Sequence, residues 1–421
     1  MSEPAYQAAR LPAISQAVLG WLTRPHDQGW LAQACDWSDT DWEVARWVTQ
    51  VHGIAPLLHA QSATWPGAAS LAPQLRAYLA GQHQRSAARV GLLLAELAEI
   101  LAAFEADGLP VVPLKGSLLA TRYYAAPGLR PMNDLDLLVR REDEAHAVAL
   151  LGQLRYEQVG RSWKHLMLAR PEASGAVVDY DGEHPANPRS LDLHTQLAEG
   201  FWGIRYDLSE QVWAGARPGW LLGHSALDMP TPVLLQHLVV HAVSDMIARR
   251  VRLLHLHDIA LVAARVDQRG WEQLVESAQA RREERYLYPA LQLASGYFGV
   301  VPADVLAVLR PGVPPALNAM LDQHGVDQFS YCNSAPTSFR EKLAWYRPGR
   351  EQLAAIRHMA LPDPGEVATW YPRLARPLLL PLGYACYGAQ MLGWGVRRAL
   401  GKPRLHLAAA RMGAGARAED R

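Results

Sequence analysis

Residues 109–139 read LPVVPLKGSLLATRYYAAPGLRPMNDLDLLV, and the order of elements in this stretch decides the fold. Residues 109–114 are short, apolar and β-branched, which predicts a strand running straight into a Lys115-Gly116-Ser117 turn and a helix, LLATRYY. The turn-rich AAPGLRPMN leads to a second predicted strand over 135–139. Asp143 is placed to cap the helix DEAHAVALLGQL, and further short strands are expected over 156–159, 165–168, 177–180 and 191–194. A mixed sheet flanked by helices therefore occupies 90–205.

Working outward, the upstream chain is helical. Val44, Trp47, Val48, Val51 and Ile54 recur at three- and four-residue spacing, and Pro66-Gly67 interrupts the pattern. A long helix over 83–106 carries Val90, Leu93, Leu94, Leu97, Leu101 and Phe104 on one face and stops at Asp107-Gly108. Beyond the sheet the chain is expected to be helical again, most clearly in HLVVHAVSDMIA and LLHLHDIALVAARV.

Composition bounds the function classes. The chain has 421 residues, is half apolar and contains 14 Trp and 15 Tyr, enough to bury a large core rather than remain disordered. The 41 Lys plus Arg balance 41 Asp plus Glu, so no overall basic field draws it onto nucleic acid, and none is expected as a partner. Lys115, Lys164, Lys342 and Lys402 are the only lysines, a skew toward arginine that, with abundant Ala, Gly and Pro, points to a GC-rich bacterial genome. Cys35, Cys332 and Cys386 lie far apart, and no basic n-region precedes an apolar run at the N-terminus; a cytoplasmic location is expected. The 20 uncharged residues of 377–396 are long enough to cross a bilayer, but two prolines, four glycines and Gln390 argue instead for a buried helix or a peripheral contact with the inner membrane.

The chemistry concentrates at Gly116-Ser117, at Asp134-Leu135-Asp136-Leu137 after a gap of sixteen residues, and at Leu191-Asp192-Leu193. Period-two alternation in a strand puts Asp134 and Asp136 on one face and the leucines on the other. Two such carboxylates can share divalent ions, and Asp192, flanked by leucines, can join them from a neighbouring strand. A glycine and a serine at a helix start suit a phosphate, whose approach Lys115 and Arg130 can assist. Asp179, in Val178-Asp179-Tyr180, is an alternative third carboxylate, with Asp192 preferred. His194 shares the face of Asp192 and can hydrogen-bond a carboxylate. His237 and His241, one helical turn apart, have the spacing of zinc ligands but lack an HExxH glutamate, which favours packing. His255, His257 and Asp258, near Arg249, Arg250 and Arg252, can line an acceptor pocket.

Gly-Ser followed by an apolar-flanked Asp-x-Asp and a later isolated Asp resembles the DNA polymerase beta-type nucleotidyltransferase superfamily. More narrowly, LKGSLLATRYY, PGLRPMNDLDLLV and LDLHTQL resemble the bacterial uncharacterised nucleotidyltransferase family, with likeness extending from DWEVARWVTQVHGIAPLL to LLHLHDIALVAA. The resemblance implies an α+β protein with a small mixed β-sheet nucleotidyltransferase core in a mostly helical frame. It implies Mg²⁺, with Mn²⁺ as an alternative, held by Asp134, Asp136 and Asp192, and a triphosphate gripped by Lys115, Gly116, Ser117 and Arg130. The expected reaction passes a nucleoside monophosphate from an NTP to a hydroxyl-bearing small molecule, peptide or protein and releases pyrophosphate. The alternative is a catalytically silent nucleotide-binding module that recruits a protein or membrane partner. The expected organisation is a helical region 1–88, a catalytic core 89–205, a helical acceptor-side domain 206–375 and an apolar helix with a tail, 376–421.

Overall fold

The computed structural model describes residues 10–24, 37–64, 71–178, 184–201, 204–333, 338–374, 376 and 378–399. The alternating DLDLL of Asp134–Leu138 (β2) forms the second strand of a five-stranded sheet ordered β1-β2-β5-β4-β3, with β1 at Val112–Leu114, β3 at Glu157–Arg161, β4 at His165–Ala169 and β5 at Ser190–His194. Only β2 and β5 run parallel; the other pairs are antiparallel, so the sheet is mixed. The β2–β5 register sets Asp136 opposite Asp192 and Leu135 and Leu137 opposite Leu191 and Leu193. All four leucines are fully buried, and this apolar requirement fixes the register, because a one-residue slip would turn them outward.

Helices frame the sheet. Leu11–Thr23 (α1), Asp39–His52 (α2) and Ala55–Ser62 (α3) precede Pro73–Ala106 (α4), which packs on β2. The α4 helix starts ten residues earlier than the periodicity of its apolar face indicates, with Pro73 at the first helical position, and it runs without a break through residue 88. It ends where expected: Gly108 takes φ +66°, and Leu109 N–H donates to Phe104 O at 2.8 Å. Lys115–Arg122 (α5) follows β1 directly. Glu144–Gln153 (α6) also forms, but Asp143 does not cap it; that residue closes a 3₁₀ turn over Arg141–Asp143 and makes no side-chain cap bond. Pro66-Gly67 and Cys35 lie outside the described residues, as do Asp179 and Tyr180; residues 177 and 178 are not in a strand.

The helical expectation beyond the sheet is corrected by two hairpins, the first of them straddling the sheet region's expected end at 205. One pairs Ala198–Phe201 with Ile204–Asp207; the other pairs Arg217–Leu221 with His224–Asp228. The second turns through Leu222 and Gly223, both at positive φ, so it lacks the Asn-Gly or Asp-Gly pair that signals such a turn in sequence. Leu227 N–H donates to Val111 O at 2.8 Å, and the hairpin thereby protects the β1 edge. After the short helix Ser209–Gly215 (α7), the helices Thr231–Ile247 (α8) and Leu253–Ala263 (α9) close the polar side of the sheet. One contiguous apolar core runs from Ile14 to Ala355. Residues Leu380–Ala399 form a helix outside that core whose Tyr384 and Tyr387 hydroxyls donate to Pro362 O and Met359 O. Leu378, just before it, is 95 % exposed. Among the described residues no helix is long and apolar enough to cross a membrane.

Candidate active site

The pleat places Asp134, Asp136, Ser190, Asp192 and His194 on one face of β2 and β5, and the antiparallel partner β4 adds His165 opposite His194. The face is polar because its residues alternate with the leucines that hold the sheet to the core. Asp136 and Asp192 are both buried; Asp134, at the strand start, is half-buried. The sheet therefore brings the three expected carboxylates to one surface.

Lys115 lies on this surface too. Its ammonium sits 2.8 Å from Asp136 Oδ1, and His194 Nε2 sits 3.0 Å from the same oxygen. Burial alone would raise the Asp136 carboxyl, but the Lys115 charge and the His194 hydrogen bond outweigh it and hold the group well below the usual carboxylate range. Lys115 is correspondingly raised: the charges of Asp136, Asp134 and Glu199 overcome its desolvation. Burial lowers His194, and an ionised Asp136 can only accept, so Nε2 is the nitrogen that donates to it. Lys115 has φ +41°, a left-handed backbone that is strained for a side-chain-bearing residue.

The turn that follows is built by close approach. A Cβ on Gly116 would stand 2.6 Å from an Arg130 guanidinium nitrogen and 2.7 Å from Met132 Sδ, so only glycine fits. Ser117 is buried, and its hydroxyl accepts Asp136 N–H at 3.1 Å, which ties α5 to β2 and leaves the hydroxyl hydrogen to donate. The α5 start has no side-chain cap, so its first-turn N–H groups keep their capacity for an anion. Arg130 is engaged elsewhere: Nε and Nη2 grip Asp258 of α9 at 3.0 and 2.7 Å, and Tyr124 donates to the same carboxylate at 2.6 Å. His255 and Arg252 likewise face inward rather than an open pocket; Arg252 donates to Val51 O and Gln50 O.

Two parts of the site are not assembled by sequence reasoning: Arg89 carries no signal, and His241, His255 and Arg250 are singled out without their partners Glu199 and Asp245. Arg89 stands in the apolar run of α4 with no exposed surface, and it donates to Met132 O, Asn133 O, His184 O, Asn187 O and Pro188 O at 2.6–3.2 Å. Those carbonyls belong to the segments that enter β2 and β5, so one guanidinium aligns the approaches to Asp134 and Asp192. The second is a helical wall. Glu199 takes Lys164 at 2.9 and 3.0 Å and His241 Nδ1 at 3.0 Å; His241 Nε2 faces Asp245 at 3.7 Å, and His255 and Arg250 flank Asp245 at 3.4 and 3.2 Å. Burial would raise Glu199, but Lys164 and His241 hold it well below the usual carboxylate range. His237 is buried beside this group, and desolvation and the Lys115 charge lower it well below an ordinary histidine.

A carboxylate-bearing sheet face beside an uncapped glycine-serine helix start is an arrangement suited to phosphoryl-group chemistry. The family model described as uncharacterised nucleotidyltransferase matches residues 38–299, and the chain belongs to that family. No curated protein matches the sequence. Among solved structures, the chain is similar to the antibiotic-resistance factor ANT(2'')-Ia in solution, at 14 % identity and a TM-score of 0.33, over 45 % of this chain and 91 % of that one.

Proposed function

We propose that the chain transfers a nucleoside monophosphate from an NTP to a hydroxyl-bearing small molecule, peptide or protein and releases pyrophosphate. The observation that carries this reading is the β2–β5 register, which sets Asp136 against Asp192 with Asp134 on the same face, beside the Gly116-Ser117 turn. The donor set suits a hard divalent ion: Asp134, Asp136 and Asp192 offer three carboxylates against the single ammonium of Lys115. Mg²⁺ bound there, or Mn²⁺ in its place, would neutralise the triphosphate and polarise the attacking oxygen.

This chain's residues supply the rest. The first-turn N–H groups of α5, with the Ser117 hydroxyl, hold the β- and γ-phosphates, and Lys115 passes from Asp136 to the phosphates once Asp136 takes up its ligand role. Arg130 holds Gly116 in place from its anchor on Asp258. The acceptor oxygen attacks the α-phosphorus, its proton passes to Asp192, and the bond to the β-bridging oxygen breaks with its electron pair leaving on pyrophosphate. The wall of Glu199, His241 and Asp245 faces the acceptor, within the acceptor-side unit 206–375 and its junction with the core 89–205.

Pyrophosphate release and mass transfer with each NTP, Mg²⁺ or Mn²⁺ and a lysate of small molecules and proteins test the reading. A one-nucleotide mass gain that disappears in Asp134→Asn/Asp136→Asn is expected. Equal NTP binding by both proteins without turnover identifies a silent nucleotide-binding module instead.

A further inference from the structure

The β5–β4 part of the sheet face has a different donor chemistry. A ring nitrogen of His165, a ring nitrogen of His194 and a carboxylate oxygen of Asp192 lie within 4.8 Å of one another. His165 Nε2 stands 3.3 Å from Asp192 Oδ2, close to the ligand-to-ligand edge around an ion with bonds of about 2.1 Å. All three groups are buried, on neighbouring strands in fixed register, and the two rings meet edge-on with centroids 4.8 Å apart. His194 Nε2 stands 3.0 Å from Asp136 Oδ1, and in the neutral ring with that nitrogen donating to the carboxylate, Nδ1 carries the lone pair. A carboxylate holding one nitrogen of an imidazole while the other faces a metal is the usual support for a metal-binding histidine.

We propose that His165, Asp192 and His194 form a site for a zinc-type divalent ion, distinct in donor set from the all-carboxylate site of Asp134 and Asp136. Two imidazoles and one carboxylate favour Zn²⁺ or Co²⁺ over Mg²⁺, which prefers oxygen ligands and keeps its waters. Zinc's four-coordinate habit leaves a position for an oxygen of water or acceptor. The inference deepens the transferase reading, and rests on it only in that Asp192 serves both sites.

Among the described residues two other clusters bring potential ligands equally close, and they serve as controls. In His52–Asp327–Cys332, Leu253 N–H donates to His52 Nδ1, so Nε2 is protonated toward Asp327 and the ring has no lone pair to give. His358–Asp363–Glu366 lies far along the chain beside the C-terminal helix and contains an exposed aspartate.

The test is metal binding by the full chain after chelation, independent of turnover. Calorimetric titration with Zn²⁺ in excess Mg²⁺ should give one tight equivalent, and Co²⁺ should give a visible d–d spectrum. His165→Ala and His194→Ala should each weaken Zn²⁺ by more than about tenfold, while Cys332→Ser, His358→Ala and Asp134→Asn leave it unchanged. Nitrogen couplings in the pulsed EPR of the wild type loaded with Co²⁺ in excess Mg²⁺ read the same ligands without any variant, should one fail to fold. Absence of Zn²⁺ binding that survives Mg²⁺, or binding indifferent to both histidines, overturns the site. Transfer activity with Mg²⁺ alone would then still stand, and Zn²⁺ binding without transfer would instead sink the transferase reading and leave this one.

Discussion

The sheet face and the helical wall opposite it carry similar inventories of buried carboxylates, histidines and cations, yet they are built in different ways. On the sheet, Asp134, Asp136 and Asp192 are fixed by strand alternation and by leucines whose burial sets the register. On the wall, Glu199, His241, Asp245 and His255 come from a hairpin and two helices, and each charge is answered by a partner on another element. The contrast teaches that a rigid ladder gathers like charges on one surface by register and lets cations reach them from flanking elements, whereas the wall assembles its charges pair by pair. Removal of a sheet carboxylate is therefore expected to affect chemistry first, and removal of a wall or clamp partner to affect folding first.

The largest expected effect breaks the sheet side: Asp136→Asn should lower nucleotide transfer on the order of 10³-fold or more in initial-rate assays. Glu199→Gln, its counterpart on the wall, should cost less; an equal loss would remove the distinction between the two surfaces. Next comes the clamp that joins them. Asp258→Ala strands a buried Arg130 guanidinium and should cost about 3–5 kcal/mol in urea denaturation. Arg89→Ala leaves five carbonyls to find other partners, for about 3 kcal/mol, and should lower kcat in the protein that remains folded. An unchanged kcat would confine Arg89 to a structural role.

The last effect shows only in acid. Burial lowers His255 to about 3, against an ordinary histidine near 6.5, with Asp245, His241, Arg252 and Asp258 as its charged neighbours. Between those values the unfolded chain binds a proton that the folded chain refuses, so stability falls as pH drops from 6.5 toward 3. The slope is up to about 1.4 kcal/mol per pH unit. His255→Gln should flatten that limb of a stability–pH curve; an unaltered slope would assign the acid sensitivity to other groups.

Much of the sheet was legible because local sequence controls it. DLDLL and SLDLH alternate with period two, and the strand bounds they predict differ from the observed ones by a residue or so. The hairpin over 217–228 was not legible, since Leu222 adopts a positive φ that asparagine or glycine would announce. Arg130 reads as a free cation near a phosphate site, but its pairing with Asp258 spans 128 positions. Arg89 stands just before the apolar stripe that begins at Val90, and its role appears only when the two segments leading into β2 and β5 close around it.

By itself the sequence determined the family, the strands that bear the aspartates, and the glycine-serine turn beside them, because alternation, apolar runs and tight turns are local properties of the chain. Only the tertiary structure decided which charges meet. Lys115 on Asp136, His165 beside Asp192, Arg130 on Asp258 and His241 on Glu199 are all contacts between separate elements. Their strength comes from burial, which raises the cost of an unpaired charge and so selects partners that no local pattern encodes.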